Sequence, residues 1–202
     1  SEQTIVSLNS PDYWMSMCPW LTCSRQSTAT SMCLDTPTIE SFRRALCERG
    51  YCKISQQDIL GGKNNSEYTN LVDGLRRGME RIEALGHEAS AITAYDEAWR
   101  LQAMLAPMLS DITDRVCKPT GDVFSFSVSA EHPSGFNGPH RDKPLSGKDS
   151  FVDDVPMYVT AWVALSEATP EMSCLYFVPK GSSSSQQIFC SSLSTILPYK
   201  QA

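Results

Sequence analysis

The sequence predicts an α+β fold, with helices first and an antiparallel sheet after them, on three observations. Apolar residues recur at helical spacing through 36–49, 66–86 and 93–116. The period then switches to two in "VFSFSVSA", residues 123–130. Two further short runs, "MYVTAWVAL" (157–165) and "SCLYFVP" (173–179), read as strands. Runs of helices followed by runs of strands are the pattern of an α+β domain.

Taken in order, residues 1–35 are rich in Ser, Thr, Met and Cys without a sustained period, and are expected to form a weakly ordered leader. In "TPTIESFRRALCERGY", Pro37 suits a first helical turn and Gly50 a helix stop. Ile39, Phe42, Leu46 and Cys47 make its apolar stripe, and "YCKI" (51–54) follows as a short strand. A loop, "GGKNNSEY", leads to a second helix with Tyr68, Leu71, Val72, Leu75, Met79, Ile82 and Leu85 on one face and Gly86 at its end. The third opens at Thr93, which with Asp96 resembles a capping box. Pro107 is expected to kink or split it, because proline lacks the backbone donor and crowds the preceding turn. In the strand 123–130, Phe124, Phe126, Val128 and Ala130 share a face opposite three serines. From Gly181 the chain becomes a Ser-rich polar tail.

Bulk properties narrow the function. With 17 basic and 23 acidic residues the net charge is −6, which argues against a general nucleic-acid or anionic-membrane partner. No apolar run approaches the ~18 residues of a membrane span. The eight cysteines include no Cys-x-x-Cys pair and are read as mostly reduced thiols in an intracellular, cytoplasmic protein. The oligomeric state is not legible.

The chemistry lies in "GFNGPHRDKPLS", residues 135–146. In an extended segment side chains at i and i+2 point the same way, so His140 and Asp142 are able to reach one metal ion while Arg141 points away. Two histidines and a carboxylate on one face of the ion make the non-haem Fe(II) oxygenase site, with positions open for cosubstrate and dioxygen.

The run "PHRDKP…YVTAWVALSEATPEMSCLYFVPKGS" resembles the core of the phytanoyl-CoA dioxygenase family, Fe(II)- and 2-oxoglutarate-dependent oxygenases. The likeness is carried by His140 and Asp142, by Trp162–Leu165, by Glu167–Glu171, by Cys174 and Leu175, and by Val178 and Pro179. It covers 95–182 well and 38–60 loosely. The resemblance implies N-terminal helices packed on a partial double-stranded β-helix, with His140 and Asp142 as iron ligands and catalytic residues. It implies Trp162 as a residue lining the 2-oxoglutarate pocket, with Tyr158 and Thr160 on the same face, and a small organic or acyl molecule as the substrate to be hydroxylated.

The pattern then breaks. A distal histidine, the third ligand, and an arginine for the far carboxylate of 2-oxoglutarate should follow, yet residues 143–202 contain neither. His132 precedes the motif and is expected not to ligate. His87 is expected at the surface. The expected organisation is a leader (1–35), an incomplete oxygenase-like domain (36–182) and a non-homologous tail (183–202). The alternative function is a non-catalytic binding or interaction module.

Overall fold

The computed structural model describes residues 8–24, 32–60, 66–127, 151–152, 155–156, 158–169, 174–177, 179 and 189–191. Helices dominate them: α1 (Pro11–Met17), α2 (Thr36–Arg49), α3 (Gln56–Leu60), α4 (Ser66–Ala84), a 3-10 turn (Ala89–Ala94) and α5 (Asp96–Thr113). The strands are short: β1 (Phe151–Val152) with β2 (Val155–Pro156), and β3 (Leu175–Phe177) with β4 (Phe189–Ser191), both antiparallel.

The expected α+β fold with a β-helix core is therefore corrected. Among the described residues the architecture is an α-helical bundle, and two ladders of two and three residues form no sheet layer. Residues 123–127 and 158–165 carry no strand. The physical reason shows at Phe124, which is 80% exposed. Alternation makes a strand only where one face meets an apolar layer and both edges find backbone partners. In place of a ladder, the Ser125 hydroxyl donates to the Ala89 carbonyl at 3.2 Å. In 158–165 only Ala164 is buried, and Tyr158 stands 46% exposed.

The chain divides into two compact units. The first takes 1–33, 64–110 and 116–127. Its centre is α4, whose Tyr68, Leu71, Leu75, Met79 and Ile82 are buried at the spacing the sequence gives, while Leu85 at its end is exposed. Gly86 stops it at φ +81°: its N–H donates to Glu83 O and that of His87 to Ile82 O, the paired bonds of a Schellman motif. Gly78 lets two neighbours close in, because a Cβ there would lie 2.7 Å from both Leu21 Cδ1 and Ile92 Cδ1. Within the segment read as a leader, Pro11–Met17 is helical, and Met17, Cys18, Leu21 and Met32 are buried.

α5 does not split at Pro107; it runs as one helix from Asp96 to Thr113. A single missing N–H removes one ladder bond, and the helix interior around it is held by buried Met104, Leu105, Met108 and Leu109. Nor does Thr93 cap it. Thr93 lies in the preceding 3-10 turn, where its hydroxyl donates to Ser90 O at 2.8 Å.

The second unit takes 34–63, 111–115 and 128–202. Here α2 matches its sequence signals closely. Asp35 accepts from Thr38 N–H at 2.8 Å, Pro37 sits in the first turn, and Gly50 ends the helix at φ 82°. The bond to Thr38 holds the Asp35 carboxyl below its ordinary range. The buried positions are Ala45 and Leu46, and Cys47 is exposed rather than part of the stripe. A capping box does occur, at α3: Ser55 N–H donates to Asp58 Oδ2 (2.8 Å) and Asp58 N–H to Ser55 Oγ (3.2 Å). Arg43 donates to the carbonyls of Ile112 (3.2 Å) and Asp111 (2.6 Å), satisfying acceptors that the end of α5 leaves open.

Between α2 and α3 only Ile54 carries a bridge, so "YCKI" is not a full strand, but its burial alternates: Cys52 and Ile54 are inside and Lys53 outside. Burial pushes the Cys52 thiol up to about 12 from 9.0, against a smaller opposing pull from Arg49. The folded state thus favours the protonated thiol. Its contribution is complete below pH 9 and is lost as pH rises toward 12, a change on the order of 2–4 kcal/mol by linkage. Urea midpoints measured across that window are expected to fall for the parent chain and to fall less for Cys52→Ala.

Candidate functional site

His140 and Asp142 lie outside the described residues, as do His132 and Arg141. Trp162 is described: it is half-buried in the irregular segment 158–165, with Thr160 exposed nearby. Among the described residues no three His, Cys, Asp or Glu side chains converge to hold a metal ion. A site for Fe(II) and 2-oxoglutarate would need a third ligand beside His140 and Asp142 and an arginine for the cosubstrate. Residues 143–202 contain neither a histidine nor an arginine.

His87 is more than a surface residue. Its Nε2 lies 2.8 Å from the Tyr13 hydroxyl, and its ring packs at 6.2 Å against both Tyr13 and Trp14. Trp14 in turn meets Tyr95 edge-on at 6.1 Å, and the Tyr95 hydroxyl donates to Trp14 O at 2.7 Å. Burial first, then hydrogen bonding to Cys18, pushes the Tyr95 hydroxyl well above its ordinary range. The cluster fastens α1 to the turn after α4 within the first unit. Its residues are aromatic ring edges and one hydrogen-bonded imidazole, which suits packing rather than ligation.

The most elaborated polar arrangement among the described residues is one the sequence reading missed. Asp96 and Glu97, consecutive at the start of α5 and both about 7% exposed, grip the backbone at 22–24. Thr22 N–H donates to Glu97 Oε2 at 3.0 Å and its hydroxyl to Oε1 at 2.9 Å. Ser24 N–H and hydroxyl both donate to Asp96 Oδ2 at 2.7 Å. In return Asp96 N–H donates to Thr22 O at 2.8 Å. That return bond supplies an acceptor to one of the open N–H groups of the first turn of α5. Two carboxylates at a helix N-terminus are favoured by its dipole. Their field shows at Cys23, whose thiol is pushed up by burial, then by Asp96 and Glu97, then by Cys18. The sequence signal was slight: two adjacent acids opening a helix, with no indication that their partners lie more than seventy positions earlier.

Among the described residues Cys18, Cys23, Cys33, Cys47, Cys52 and Cys117 form no disulfide, and Cys174 is disulfide-bonded. No described helix is long and apolar enough to cross a membrane. Comparison with family models, with curated proteins and with solved structures yields no match.

Proposed function

We propose that this chain is an Fe(II)/2-oxoglutarate-dependent oxygenase of the phytanoyl-CoA dioxygenase type, acting on a small organic or acyl substrate and poorly active with the donors it carries. The observation supporting this is the His140-x-Asp142 pair followed in register by "WVAL" (162–165) and "EATPE" (167–171). In this reading His140 and Asp142 hold ferrous iron, which when bound activates dioxygen beside 2-oxoglutarate, and Trp162 borders the cosubstrate. The chain's own contribution is to keep an imidazole and a carboxylate on one side of the ion and leave the other positions open. Loss of even an outer-shell partner lowers a metal site's affinity or activity by about 10–100-fold, so this reading expects weak turnover from a chain with no third histidine ligand in 143–202. The predominance of cysteines outside a disulfide among the described residues, with Cys174 the exception, supports an intracellular, cytoplasmic setting for it.

The helical architecture of the described residues favours a second reading, a non-catalytic binding or interaction module. Succinate release from 2-oxoglutarate by the full chain with Fe(II) separates the two. The oxygenase reading expects slow release above the metal-free background, abolished in His140→Ala. Release that is absent, or equal in parent and variant, overturns it in favour of the module.

A further inference from the structure

The contacts of residues 18–24 have the form of a strap laid across α4 and the start of α5, all within the first unit. The Cys18 thiol donates weakly to Gly78 O (3.8 Å), and the Trp20 indole N–H donates to Gly74 O (3.2 Å). Leu21 is 4% exposed and fills the space that Gly78 leaves open. The Arg77 guanidinium lies 4.5 Å from the centre of the Trp20 ring. Beyond Leu21 the attachment changes character and becomes wholly polar: four hydrogen bonds to two carboxylates, with Thr22 and Ser24 themselves exposed.

This end of the strap is held by a geometry that tolerates no added negative charge. Every Thr22 and Ser24 donor described above points at an anionic oxygen, and both Ser24 donors meet on the single atom Asp96 Oδ2. An anion placed on the Ser24 oxygen loses the hydroxyl proton that makes the bond and sets two like charges about a hydrogen-bond length apart. The Cys23 thiol between them already registers the negative field. A phosphate group carries about −1.5 to −2 at neutral pH and disrupts where it lies beside Asp or Glu.

We propose that Ser24, and in parallel Thr22, is a phosphorylation site whose modification releases the 18–24 strap from α4 and α5. In the modification, the Ser24 hydroxyl oxygen forms a bond to the terminal phosphorus of a nucleoside triphosphate. The bond from that phosphorus to its bridging oxygen breaks, the hydroxyl proton is given up, and nucleoside diphosphate leaves. Release bares the Gly74–Gly78 face of α4 and the Cys18 thiol, which is wholly buried while the strap is closed. Ser24 is an exposed residue in the closed form, so the site is reachable before the strap opens.

Cys18 alkylation by iodoacetamide in the native full-length chain, followed by mass spectrometry, reads the opening directly. Relative to the parent, Ser24→Glu and a chain carrying phosphoserine at 24 are expected to label Cys18 roughly tenfold to hundredfold faster, the shift from losing one charge-assisted bond. Ser24→Lys, of similar bulk and opposite charge, is expected to label near the parent rate. Cys52, buried in the other unit, is expected to stay protected in all of them. Equal exposure of Cys18 by Glu and Lys would show that size rather than charge opens the strap and would overturn the proposal. Protection of Cys18 in every variant, or loss of Cys52 protection in step with Cys18, overturns it as well.

Discussion

Alanine in place of Tyr95 is expected to lower folding stability by about 3–5 kcal/mol, the range for removing a large aromatic from a core. Tyr95 has no exposed surface. It makes three contacts within the first unit: its ring meets Trp14 of α1, its hydroxyl reaches Trp14 O, and its backbone closes the 3-10 turn through Ile92 O. Tyr95→Phe keeps the ring and loses one neutral hydrogen bond, for an expected cost of about 1 kcal/mol plus the desolvation of the Trp14 carbonyl left behind. Urea unfolding of the two variants separates the terms. A loss for Phe as large as that for Ala would mean that the hydroxyl, not the packed ring, carries the contribution.

The second large effect belongs to the carboxylate pair. Four hydrogen bonds to ionised oxygens, at about 1.5–3 kcal/mol each, would sum to about 6–12 kcal/mol, as much as the whole net stability of many domains. The sum overstates the case, because Thr22 and Ser24 are exposed and water replaces the lost acceptor. Such effects within one network also do not add. Asp96→Ala/Glu97→Ala is therefore expected to cost about 2–4 kcal/mol, including a smaller part from the lost negative charge at the helix start. Either single replacement is expected to cost more than half of the double, because the strap is released once one anchor goes. Strictly additive singles would show that the two anchors act independently and that 22–24 is no cooperative unit.

The elements that were legible in the sequence are those whose determinants are local. Pro37, Gly50 and the Asp35–Thr38 spacing specify α2 without reference to the rest of the chain. The apolar stripe from Tyr68 to Ile82, closed by Gly86, does the same for α4. Legibility failed where the outcome depends on distant partners. Phe124 and Phe126 alternate with serines as a strand would, but alternation is silent on whether a neighbouring strand or apolar layer exists. The Thr93–Asp96 spacing fits a capping box, yet Thr22 O, far away in sequence, takes the role of acceptor at the helix start. The strap itself joins residues more than seventy positions apart through serine and threonine donors that have no apolar period to betray them. For the candidate iron site, the support is the sequence pattern of His140, Asp142 and the motifs after them; His140 and Asp142 lie outside the described residues, and Trp162 is half-buried.

Anaerobic titration of the full chain with ferrous ion, followed by calorimetry, tests the metal reading most directly. The expected result is one ion bound per chain, with affinity reduced at least about tenfold in both His140→Ala and Asp142→Ala, since each removes a direct ligand where outer-shell losses alone reach that factor. Binding that is absent in the parent, or that survives both replacements unchanged, would contradict it.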